Sequence, residues 1–155
     1  MITRVLYAAF CSDPLEPRRV DPIYKDEARI AREAGFKVIL IDHDELDKRI
    51  DPKSALRNAR INEAGCMIYR GWMMSSDAYT KLCSELQTRD IEPFVSPSAF
   101  EFSHYHPRNA EAVKSYSPLS TSIAISDLDD PSQISAALNS FKGGGGIIKD
   151  WVKSQ

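Results

Sequence analysis

The chain has 155 residues, 43% of them hydrophobic and 27% charged, and twenty Lys and Arg against twenty-two Asp and Glu leave a net charge of -2. This composition fits a soluble globular protein of about one domain and excludes wholesale disorder and fibrous repeats. It supplies no sequence-wide field for gripping nucleic acid, no apolar run reaches the roughly 20 residues of a membrane helix, and no basic region followed by an apolar signal segment opens the chain.

Val5 to Phe10 is rich in strand formers and predicts a first strand, closed by the turn residues Ser12, Asp13, Pro14 and Pro17. Asp21 and Pro22 then start a helix with Ile23, Ile30, Ala31 and Ala34 on one face and Gly35 at its end; Glu27 falls on that same apolar face. Lys37 to Asp42 predicts a second strand, parallel to the first through a right-handed crossover. From Asp44 to Glu63 the scattered charge and Pro52 fit a short helix, an edge strand or a loop equally well. Cys66 to Tyr69 predicts a third strand. Ser76 opens a helix with Tyr79, Leu82, Cys83 and Leu86 at i, i+3, i+4 and i+7, and Ile91 to Val95 predicts a fourth strand, stopped by Ser96 and Pro97. Together these elements predict an α/β fold with an open, mostly parallel sheet and flanking helices.

The pattern changes near Pro107. A short helix through Ala110 and Val113, a break at Ser117 and Pro118, and a β-leaning run from Ser120 to Ile125 are expected. Asp130, Pro131 and Gln133 start a further helix with Ile134, Ala137, Leu138 and Phe141 as its buried stripe. Four of the seven glycines, Gly143 to Gly146, then lead into a predicted strand, Ile147 to Val152. Cys11, Cys66 and Cys83, with no CxxC pair, read as reduced thiols and place the protein in a cytosol.

Ligands of open parallel sheets gather beyond the carboxyl ends of the strands. Those positions here hold Ser12, Asp13, Arg18 and Arg19, then Asp42, His43 and Asp44, then Arg70, Gly71 and Trp72. Three arginines are thus expected to converge on one edge, where a guanidinium fork suits a phosphate or carboxylate. Arg18 and Arg19 alternatively solvate a loop, whereas Arg70 stands beside Gly71, which lets a ligand approach the backbone. On the last strand Lys149, Trp151 and Lys153 share a face, the two ammonium groups about 7 Å apart, which suits a nucleotide or a solvated edge strand. The glycine run is neither a dinucleotide fingerprint nor a Walker loop. His104 and His106 read as metal ligands or a surface loop, Asp127, Asp129 and Asp130 as a magnesium site or, for Asp130, a helix cap, and Cys11 as a nucleophile or a buried thiol.

The segments CSDPLEPRRVDPIYKDE, MIYRGWMMSSDAY, FVSPSAFEFSHYH and GIIKDWVKS, in that order, resemble the N-terminal half of ATP-grasp proteins, in a clade of predicted bacterial and phage ligases. The resemblance implies a pre-ATP-grasp α/β domain over residues 1–117, then the start of an ATP-grasp lobe over residues 118–155, apparently truncated. Such enzymes activate a carboxylate as an acyl-phosphate for attack by an amine or thiol, with ATP and magnesium as cofactors. It implies that Lys149 and Lys153 contact ATP phosphates, that Arg70 acts on the acid or acyl-phosphate, and that Arg18 and Arg19 orient it. Tyr24 and Glu27 match the first-helix pattern, with Glu27 reaching back to those arginines. The lobe expected to hold magnesium is missing from the sequence, so the chain alone is expected not to be a competent ligase but to require a complementing C-terminal lobe. Two other readings stand beside this one: a non-catalytic module binding an anionic small molecule or an acidic partner segment, and an interaction domain whose last strand pairs with another chain, as in a homo-oligomer.

Overall fold

The computed structural model describes residues 4–141 and 146–148. The chain divides into two compact units, one up to Phe100 and one from Glu101 onward.

The first unit is an α/β layer built on four parallel strands: β1 (Val5–Cys11), β2 (Lys37–Ile41), β3 (Gly65–Tyr69) and β4 (Ile91–Pro93), in the spatial order β2-β1-β3-β4. The register sets Tyr7 opposite Lys37 and Met67, and Ala8 opposite Val38 and Ile68. Side chains alternate along a strand, so Tyr7 and Ala9 face one layer and Ala8 and Phe10 the other.

Helix α1 (Lys25–Glu33) follows a 3-10 turn, Pro22–Tyr24, that Asp21 caps by accepting from Ile23 N at 2.9 Å. It lies on the Ala8 and Phe10 side, with Ala28 at the centre and Val20, Tyr24, Ala31, Phe36 and Val38 around it. Gly35, at φ +89°, closes the helix in the left-handed conformation that glycine adopts without strain. Helices α2 (His43–Asp47), α3 (Pro52–Ala55) and α4 (Ser76–Gln87) cover the other side, where Tyr7, Ala9, Ile39, Ile41 and Met67 meet Leu46, Leu56, Tyr79, Leu82 and Leu86. Helices thus change face where the strand order reverses, the arrangement that right-handed crossovers require. Each fully buried large side chain of this core contributes about 1.5–3 kcal/mol relative to exposure.

The expected buried face of α1 needs correction. Ile23 and Ile30 are 65% and 54% exposed and Ala34 is exposed; of the expected face only Ala31 packs, beside the fully buried Ala28. The undecided stretch after β2 resolves into α2 and α3, capped by the carboxylates of Asp42 and Asp51. β4 is three residues long rather than five. Ser96 and Pro97 do more than stop it, because Ser96 Oγ accepts from Ala99 N at 3.1 Å and starts helix α5 (Pro97–His104), whose Phe100 stacks on Tyr79 with centroids 4.1 Å apart.

In the second unit α5 ends at His104, and the expected short helix through Ala110 and Val113 is present as α6 (His106–Val113), which begins at His106 where a surface loop or metal ligand was the expectation. Arg108 and Glu101 pair at 3.2 Å. The β-leaning run from Ser120 forms no strand among the described residues; Ile125–Asp127 is a 3-10 turn. Helix α7 (Pro131–Asn139) starts where expected, with Asp130 accepting from Ser132 N at 2.8 Å, but none of its residues is buried and Leu138 is 60% exposed. Ile147 and Ile148 lie outside regular structure, and the remainder of the expected last strand lies outside the described residues. Among the described residues no helix is long and apolar enough to cross a membrane.

Candidate functional site

The strand order reverses between β1 and β3, so the carboxyl ends of these two strands define the topological switch point. The residues there are tied into one constellation. Arg70 N donates to Ala9 O at 2.7 Å, extending the β1–β3 pairing by one step. The chain then folds back over the end of β1: Trp72 N donates to Cys11 Sγ at 3.2 Å, and Tyr69 hydroxyl donates to Trp72 O at 2.6 Å. Gly71 sits in this fold, and a Cβ on it would lie 2.6 Å from Cys11 Sγ. Close packing against Cys11 and Tyr69, rather than room for a ligand, therefore requires the glycine.

Trp72 spans the switch point. Its indole Nε1 donates to Asp21 Oδ2 at 3.1 Å, and its ring meets Tyr24 edge-on with centroids 5.7 Å apart, while Tyr24 leans on Phe10 at 6.0 Å. Asp21 serves two neighbours, one oxygen capping the turn before α1 and the other holding Trp72.

Alternation along β3 places Arg70 on the side of Ala8 and Phe10, the side covered by α1. Its fork reaches Glu27 of that helix, Nε to Oε1 at 2.5 Å and Nη2 to Oε2 at 3.2 Å. The expected contact between Glu27 and the arginines is thus present for Arg70. Hydrogen bonding to Glu27 raises the Arg70 pKa further above its ordinary value. Both side chains remain about half exposed, and such pairs contribute only about 0–1 kcal/mol to stability. The pair positions Arg70 without anchoring the fold.

The other two arginines share the edge but have different neighbours. Arg19 pairs with Glu16 at 2.7 Å. Arg18 lines a shallow groove with Glu16, Pro17, Arg57 and Asn58, where Arg57 holds Asp42 at 2.8 Å.

Cys11 is buried, and desolvation raises its pKa even though Trp72 and Tyr69 bond to it. It is a neutral thiol that braces the loop, and Tyr69 beside it is held protonated by burial. His43, at the start of α2, has an Nδ1 that is buried without a hydrogen-bond partner, and burial lowers its pKa. Among the described residues no group of three His, Cys, Asp or Glu side chains is placed to hold a metal ion. Lys149 and Lys153 lie outside the described residues.

The Asp21–Tyr24–Trp72 contacts have no signal in the sequence: a strand end accounts for Trp72 alone, and the cap accounts for one carboxylate oxygen of Asp21 and not for the other. No protein-family model, curated protein or solved structure matches this chain.

Proposed function

We propose that the first unit binds the anionic group of a small molecule, a carboxylate or a phosphate, at the switch point, with Arg70 as the binding residue. The observation that carries this reading is the Arg70 fork, half exposed at the carboxyl edge between β1 and β3 and already presented in the bidentate geometry that a carboxylate or phosphate accepts. Glu27 occupies that geometry in the resting protein. An incoming anion competes with a tethered carboxylate whose effective concentration is on the order of millimolar or higher, so simple anions bind weakly.

On the family resemblance, the chain is the acid-binding portion of an ATP-grasp ligase-like protein. Arg70 then holds the acid or its acyl-phosphate, Arg18 and Arg19 extend the positive edge, and Lys149 and Lys153 contact ATP phosphates. Magnesium would neutralise the transferring phosphoryl group, but the described residues offer it no three-ligand cluster. A bacterial or phage origin rests on the resemblance, and a cytoplasmic setting on the three free cysteines.

Titrating the protein with inorganic phosphate at low salt, followed by amide chemical shifts, tests the site. Arg70→Ala is expected to remove the saturable shifts around residues 69–72, and Glu27→Gln to tighten binding by up to about fivefold, the factor that corresponds to the upper end of such a pair's contribution. Binding that survives Arg70→Ala, or that Glu27→Gln leaves unchanged, overturns the reading.

A further inference from the structure

The charges around Arg70 sort ligands by more than their negative group. Glu27 is paired to the guanidinium through both oxygens, and two residues beyond Arg70 the Trp72 indole is held by Asp21, whose carboxylate it shares with Ile23 N. Tyr24 lies within electrostatic reach of Asp21, Glu27 and Arg70 together. A simple anion that takes the Arg70 fork strands the Glu27 carboxylate without its cation. A simple cation that takes Glu27 strands Arg70. A molecule carrying both charges solves the exchange: its carboxylate takes the fork, its ammonium takes Glu27, and every charge stays compensated. The aromatic pair of Tyr24 and Trp72, the latter 40% exposed, stands beside this exchange and offers π surface to an ammonium group or an aromatic side chain.

We infer that the switch-point site takes a zwitterion with carboxylate and ammonium on one carbon or on neighbouring carbons, the α-amino acid being the simplest such ligand, inserted between Arg70 and Glu27. This rests on the anion-binding reading of Arg70 and narrows its ligand class.

Three matched probes separate the two ideas: L-phenylalanine, its N-acetyl derivative, which keeps only the negative charge, and its methyl ester, which keeps only the positive one. The readout on the full chain is the Trp72 indole N–H resonance, assigned by its loss in Trp72→Phe, because that proton is bonded to Asp21 at the site. Phenylalanine is expected to bind several-fold more tightly than either derivative. Glu27→Gln should erase that advantage and bring the N-acetyl derivative level with or ahead of the free amino acid. Arg70→Gln should remove the response to both. If either derivative matches phenylalanine in the native protein while binding depends on Arg70, the zwitterion inference is overturned and the anion site stands. If no probe, inorganic phosphate included, gives an Arg70-dependent shift, both fall. Arg70→Lys keeps the charge and loses the fork, and unchanged selectivity in that variant also overturns the inference.

Discussion

Gly71 shows how closely the site is tied to its packing. Its Cα hydrogen faces the Tyr69 hydroxyl and Cys11 Sγ, where a methyl group has no space. Gly71→Ala must therefore push the 70–72 loop away from the end of β1 or displace the thiol, an overpacking cost of about 1–3 kcal/mol. The expected result is a lower urea midpoint together with loss of the Trp72 indole shift that reports the Asp21 bond; a midpoint equal to that of the native protein would show that the loop yields freely. The place of Arg70 at a strand end is a local signal, and the reach of Glu27 back to the arginines came with the family resemblance. The Trp72 bond to Asp21 has no such signal, since it joins residues 51 positions apart through a loop conformation set by Cys11 and Tyr69.

At the scale of elements, long periodic segments were readable and short or doubly signalled ones were not. Helix α4 buries Tyr79, Leu82, Cys83 and Leu86 as its period demands. Helices α2 and α3, five and four residues long, are too short to show a period and exist through their Asp42 and Asp51 caps. In α1 the small side chains Ala28 and Ala31 meet the sheet, packed with Ala8 and Phe10, and the larger Ile30 stays exposed.

Helix α2 also carries a pH dependence. Desolvation of His43 outweighs the attraction of Asp47, Asp44 and Asp42, with Lys48 acting in the same sense as burial, so its folded pKa lies below the ordinary value near 6.5. With a depressed folded pKa, the unfolded chain takes up the proton first as pH falls. Stability from this residue is complete above about pH 6.5 and declines as pH drops towards and through the folded value. His43→Gln is expected to flatten the change in urea midpoint between about pH 7 and pH 5. Parallel profiles for variant and native protein would mean that the imidazole stays accessible.

Over the whole molecule the stabilising burial is unevenly shared. All fully buried side chains among the described residues lie at or before Phe100, and α7 buries none. Local opening follows buried contacts, so amides of β1, β3 and α4 are expected to exchange slowest and those of α7 faster by several orders of magnitude. Equal protection in α7 and α4 would contradict this distribution. The amphipathic stripe of Ile134, Ala137, Leu138 and Phe141 predicted the α7 helix correctly and its burial wrongly, since periodicity reports what a helix face can pack against and not whether a surface is there to meet it.

Sequence alone determined the α/β class, the four strands in their order along the chain, the principal helix starts and the position of Arg70 at a strand end. These depend on propensities, caps and periods that act within a few residues. Only the tertiary structure decided the order of the strands across the sheet, which side of α1 meets the sheet, why Gly71 is glycine, and that of the three arginines it is Arg70 that Glu27 meets. Those outcomes depend on side chains from distant segments competing for the same space and the same charge, and no local pattern records the result.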